Sequence, residues 1–248
     1  MFCQFFLLRV ADEFKDAAID ARFRPERPVP SGLVTLEELR RLGIGAAVLQ
    51  LLCVLAIDIR LVPLLGAIWL WFALMSVEFF AGGWLRLRPA FYMASHMMIM
   101  PLLALFAMAA AAPEGSNRLP ALLASAGVWV FCALSLAGGI LLETGRKIRT
   151  REQERPGVET YTALWGAPLA VGVWLSAACA AAILALWTAA LLGTPWPTGV
   201  AAGAGLAAAS VLAMLRLKRP RPVFSSVFEL FSGLWVMALM FMLALAGL

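Results

Sequence analysis

Asp12, Asp16 and Asp20 recur every four residues, and Glu13 stands three before Asp16. In a helix this spacing lays the carboxylates along one face over roughly 12 Å. Like charges so placed cost a helix about a few tenths of a kcal/mol per pair. A divalent cation offsets that cost. Mg²⁺ takes hard oxygen ligands, commonly one or two carboxylates, and keeps positions for water and substrate phosphate. Asp12, Glu13, Asp16 and Asp20 are therefore candidate metal ligands that bridge to a diphosphate. The plainer alternative is a solvated helix whose acids pair with Lys15, Arg22 and Arg24. Arg24 and Arg27 follow at once, in the run Arg24-Pro-Glu-Arg27-Pro-Val-Pro-Ser-Gly32. Its prolines end the helix, and its guanidinium groups suit phosphate.

The elements that must position these residues are membrane helices. Of 248 residues, 62% are apolar and 14% charged, against about 25% charged in soluble domains. A spanning helix needs roughly 20 apolar residues. Seven stretches qualify, at 44–61, 64–80, 90–111, 120–142, 164–192, 198–215 and 224–247. Phe2–Val10 is too short to span and reads as the last turns of a further helix. The expected fold is an all-α polytopic membrane bundle, with seven full transmembrane helices and a partial N-terminal one in a single domain over 1–248. Eighteen of the 20 Lys and Arg fall on one side of this arrangement, with Arg60 and Arg118 on the other. By the positive-inside rule the rich side is cytosolic. The motif segments 10–42 and 143–163 then face the cytosol, and the chain is a multi-pass protein of the cell (inner) membrane. No nucleic-acid partner is expected.

The weaker signals have plainer readings. Cys3, Cys53, Cys132 and Cys179 are far apart in apolar surroundings and read as small buried residues. One histidine, His96, excludes a multi-histidine metal site within the chain. Glu78, His96 and Glu229 near span ends are secondary suspects. Asp58 and Arg60 read as a helix-end marker. The acidic segments at Asp12 and Glu143, and the basic loops at Arg86 and Arg216, repeat at offsets of about 130. A parallel repeat of four helices is the reading, and it leaves about one and a half helices unaccounted for before Asp12.

Asp12-Glu-x-x-Asp16-x-x-x-Asp20, followed by Arg-Pro-x-Arg-Pro-x-Pro-Ser-Gly, resembles the first signature of the UbiA superfamily of membrane prenyltransferases. Gly157-Val-Glu-Thr-Tyr-Thr-Ala-Leu-Trp-Gly166 is similar to the family's second-motif region. The resemblance implies a nine-helix scaffold and a reaction in which Mg²⁺, held by two acidic motifs, binds a prenyl diphosphate. Ionisation then gives an allylic cation that a small acceptor, often aromatic, captures. Two departures stand out. Asp12 replaces the usual Asn. The second motif, usually DxxxD, reads Glu143-Thr-Gly-Arg146-Lys147-Ile-Arg149. Glu143 is its candidate metal ligand, and Arg146, Lys147 and Arg149 join Arg24 and Arg27 as candidate diphosphate-binding residues. The alternatives are a terpene cyclase on the same scaffold and a non-catalytic permease or binding protein derived from it.

Overall fold

A computed structural model describes residues 1–112, 118–155 and 158–246. Among the described residues it contains helices and no strand. In a bilayer every backbone polar group must be satisfied within its own segment, and a helix does that. Among the described residues seven helices are long and apolar enough to span: Leu36–Ile57, Ile59–Ser76, Pro89–Ala111, Ala126–Arg146, Tyr161–Leu191, Pro195–Lys218 and Val223–Leu245. The chain is a polytopic membrane helix bundle, as its composition requires.

The chain forms two compact units. The first comprises Met1–Arg118 with Arg155–Gly157. It runs α1 (Phe2–Phe23), α2 (Leu36–Ile57), α3 (Val62–Ser76), α4 (Gly82–Arg86), α5 (Pro89–Met97) and α6 (Ile99–Ala111). Helix α1 packs on α2 and α3, and α3 packs on α6. The approach of α1 to α2 is close. A Cβ added at Gly43 would touch the Val10 side chain at 3.4 Å. Leu61, Leu65, Ile68, Leu103 and Ala109 form the buried core.

The second unit comprises Leu119–Glu154 with Val158–Leu248. After the short α7 (Arg118–Ala124) come α8 (Ala126–Arg146), α9 (Tyr161–Leu191), α10 (Pro195–Lys218) and α11 (Val223–Ala246). Helix α9 packs on α8 and α10, and α11 packs on all three. Small residues let these backbones meet, since apolar packing in lipid gains little from side-chain size. Ala178, Ala181, Ala182, Ala185 and Ala189 of α9 are fully buried. Gly205 of α10 lies under Trp235, where a Cβ would sit 1.9 Å from the indole nitrogen. Each unit has the same order: an acid-bearing helix, two further spans, a basic segment and a last span.

The spans match the expected seven, but several boundaries differ. Helix α2 begins eight residues earlier than expected, at Leu36, because Thr35 and Glu38 close a reciprocal capping box there. Helix α3 stops at Ser76 rather than 80. Glu78, Phe79 and Phe80 follow with φ of 51°, 54° and 56°, a left-handed run that ends any right-handed helix. The stretch 120–142 divides at Ser125, and α8 continues to Arg146. Phe2–Val10 forms helical turns that lead into Asp12, as expected. It is continuous with the acidic segment as a single 22-residue helix. Cys53 is exposed and Cys3 and Cys179 are partly so, which corrects the expectation of four buried cysteines. Only Cys132 is buried.

Candidate functional site

The acids of α1 differ in exposure along its face. Asp12 is exposed, Asp16 half-buried and Asp20 buried, and Glu13, one step round, is buried too. The cause is the loop after the helix. Arg24, Arg27 and Ser31 donate their N–H groups to the carbonyls of Asp20, Arg24 and Arg27, in succession of turns. Gly32 closes the loop at φ +77°, a conformation that suits glycine. Thr35 then caps α2. These turns fold the arginines back over the helix end. Arg27 donates to Asp20 Oδ2, and Arg24 donates to Asp20 Oδ1 at 3.4 Å. Asp20 holds the Arg27 guanidinium still more firmly charged than an ordinary arginine, and Glu13 and Asp16 add to that field. Glu13 itself pairs with Arg9.

Lys15 leaves this face and reaches elsewhere. Its ammonium donates to the Tyr92 hydroxyl of α5 at 2.7 Å and pairs with Glu78 at 3.3 Å. Burial opposes its charge, but Tyr92 and Glu78 outweigh burial and hold the ammonium above the usual lysine range. Burial likewise opposes a charged Glu78. Lys15 and Arg86 outweigh it, and the carboxyl lies below the usual glutamate range. The Tyr92 ring stacks on His96 at 4.1 Å and 12°. His96 Nδ1 lies 2.9 Å from the Tyr92 carbonyl, which only accepts, so this nitrogen carries the proton. Glu78 belongs to the left-handed run, and three such non-glycine residues store backbone strain. Gly82 leaves room for the Glu78 carboxyl: a Cβ there would lie 2.2 Å from Oε2.

In the same unit a cavity of about 220 Å³ opens among Leu7, Ala47, Trp69, Phe72, Ala73 and Ser76. Its wall is mainly apolar. Leu7 lies five residues before Asp12 on α1, or roughly 7 Å along the helix axis.

In the second unit, Glu143 stands in the last turn of α8 and is buried. Arg146 Nε meets its Oε2 at 2.6 Å, and Lys147 Nζ meets its Oε1 at 2.8 Å. Arg149 pairs with Glu229 at 3.1 Å. Glu154 accepts from Thr160 and Thr162, at 2.7 and 2.9 Å. Thr160 caps α9, which carries a break at Gly166 (φ 76°, ψ 160°) just before Pro168.

An acid-faced helix with arginines folded over it, followed by seven spans, narrows the family, and a family model decides it. The model of the UbiA prenyltransferase family matches residues 1–233. The chain belongs to the UbiA prenyltransferase family. No curated protein and no solved structure matches it significantly.

Family membership raises the question of Mg²⁺, and the residues answer it differently in the two units. Among the described residues no three His, Cys, Asp or Glu side chains gather into one metal cluster. Mg²⁺ commonly uses only one or two carboxylates, and takes substrate oxygens and water besides. Asp12 and Asp16, adjacent on one face and at least partly open, fit that need. Asp20 does not fit, since it is buried with a guanidinium facing each oxygen, and Glu13 must exchange Arg9 for a metal. Glu143 does not fit, since a cationic nitrogen already occupies each of its oxygens.

The plainer alternative, acids paired with Lys15, Arg22 and Arg24, describes Arg24 beside Asp20 but not Lys15, which reaches Glu78. Arg22 lies over the Phe23 ring, 5.1 Å from its centroid, not against the acids. Glu78 and His96, separate suspects by sequence, are joined through Lys15 and Tyr92, and Tyr92 had no signal of its own. Asp58 accepts from the Arg60 N–H at 2.9 Å and caps a single turn at Ile59–Leu61, the helix-end role expected of it.

Proposed function

We propose that this UbiA-family chain is an integral-membrane prenyltransferase that uses Mg²⁺ to activate a prenyl diphosphate and transfers the isoprenyl group to a small acceptor. The observation that carries this reading is the α1 face, where the solvent-reachable carboxylates of Asp12 and Asp16 stand about two turns and one turn before Asp20, which is capped by Arg24 and Arg27. Such a face offers oxygens to a metal and guanidinium donors to phosphate at one helix end. Bound Mg²⁺ would supply charge neutralisation for the departing diphosphate.

The chain's own residues then have distinct tasks. Asp12 and Asp16 hold the metal. Glu13 enters only by exchanging Arg9, and Asp20 holds Arg24 and Arg27 at the helix end. Arg24 and Arg27 donate to the diphosphate oxygens as the allylic C–O bond breaks and its electron pair leaves with the diphosphate. The apolar wall of Leu7, Trp69 and Phe72 suits an isoprenyl chain. The acceptor's nucleophilic atom forms the new bond and loses its proton. The bias of basic residues supports a cytosolic motif face in the cell (inner) membrane, reached by the diphosphate while its tail stays in lipid.

Incubation of purified chain with Mg²⁺, radiolabelled prenyl diphosphates of several lengths and phenolic acceptors tests the reading. A prenylated acceptor supports it. A hydrocarbon formed without any acceptor would point to a cyclase on the same scaffold, and pyrophosphate retained with every substrate would exclude both enzymes.

A further inference from the structure

The segment after α8 carries more positive charge than its carboxylate needs. Glu143 contributes one negative charge, while Arg146 and Lys147 contribute two positive ones at 2.6 and 2.8 Å. Arg149 is matched separately by Glu229. Together the three side chains carry one net positive charge, and each Glu143 oxygen faces a cationic nitrogen. Mg²⁺ needs carboxylate oxygens at about 2.0–2.1 Å. To reach Glu143 it would have to displace a cation or settle beside two.

The cations are held in place. The Lys147 carbonyl accepts from the Tyr161 N–H at 3.2 Å, and its ammonium lies 5.4 Å from the Tyr161 ring centroid. Tyr161 is buried and stacks on Trp165 at 4.6 Å. Two residues on, the Arg149 N–H donates to Thr162 Oγ1 at 3.0 Å, and the Arg149 carbonyl accepts from Arg216 at 2.8 Å. The two cationic side chains remain reachable, at 31% exposure for Lys147 and 55% for Arg146.

We infer that Lys147, with Arg146, forms a metal-independent anion subsite that binds a diphosphate oxygen directly, so that the second motif holds no metal of its own. This rests on the diphosphate reading above and deepens it: the metal requirement of the chain is confined to α1. Glu143 is then a positioning residue. It holds the two cations at the helix end and is not a ligand. An ammonium binds phosphate as a point charge with three donors, and a charge-assisted contact of this kind is worth about tenfold or more in affinity.

Full-length chain in phosphatidylcholine nanodiscs provides the test through two binding measurements. The first is Mn²⁺ stoichiometry by electron paramagnetic resonance. Glu143→Gln should leave the count unchanged, and Asp16→Asn should lower it. The second is inorganic pyrophosphate binding in EDTA. The unmodified chain should bind, and Lys147→Met should bind about tenfold more weakly. A Glu143→Gln chain that binds fewer Mn²⁺ ions overturns the inference. So does a Lys147→Met chain that holds pyrophosphate as tightly as the unmodified one, including the case in which it loses only affinity for phosphatidylglycerol discs. The lysine arm decides the matter even where the glutamine variant does not fold. Neither measurement requires turnover. A chain that binds in this way yet never ionises a prenyl diphosphate would refute the prenyltransferase reading and leave the subsite standing.

Discussion

The Arg27 guanidinium donates to Asp20, seven residues back in the chain, and closes the loop that follows α1. Asp20 is buried, with 2% of its side chain exposed, and its two oxygens face this partner and Arg24. Arg27→Ala is expected to destabilise the chain by about 2 kcal/mol, because it removes one partner of a buried carboxylate. Arg27→Lys should restore only part of that, since a point charge does not reproduce a planar fork. Unfolding in detergent with increasing denaturant measures both. Unchanged midpoints would mean that Arg24 alone satisfies Asp20.

The Lys15–Glu78 pair predicts a broad pH plateau. The Glu78 carboxyl lies below its ordinary value of 4.5 in the fold, so its contribution is complete above that value and vanishes as pH falls through the lowered one. The Lys15 ammonium lies above its ordinary 10.5, so its contribution is complete below that value and vanishes as pH rises through the raised one. The stability difference between the unmodified chain and Glu78→Gln should therefore be constant from about pH 5 to 10 and disappear in acid. Melting curves across this range check it. A difference that grows toward acid would contradict the pairing.

Gly145 of α8 has no room for a side chain. A Cβ there would lie 2.3 Å from Ser232 Oγ and 3.1 Å from the Phe228 carbonyl. Ser232 is itself committed, accepting from the Trp174 indole at 2.9 Å and donating to Phe228 at 2.7 Å. Gly145→Ala should cost about 1–3 kcal/mol by overpacking. Adding Ser232→Ala removes the worst clash, and the double variant should be more stable than the sum of the two single effects predicts. Strict additivity in a double-mutant cycle would count against this contact.

Much of the fold was legible because lipid demands long apolar runs. The seven spans and the acidic face of α1 follow from residue type and spacing alone. The end of α3 was hidden by Phe79 and Phe80, apolar residues that resemble more helix but adopt left-handed backbone. The Glu143–Lys147 pair was visible at i,i+4. The meeting of Lys15 with Tyr92, 77 residues away, was not, because it arises from the packing of separate helices. Arg27's return to Asp20 was half visible. The prolines announced a sharp turn but not its direction.

The most direct test compares pyrophosphate release from an allylic prenyl diphosphate in Mg²⁺ buffer by the unmodified chain and by Asp16→Asn. Asp16 is half-buried and sits between Asp12 and Asp20 on the open acidic face. The predicted result is release by the unmodified chain that falls at least about 100-fold in the variant, with the folded fraction unchanged. Equal release by both chains, or none from the unmodified chain at any prenyl length, would contradict the account.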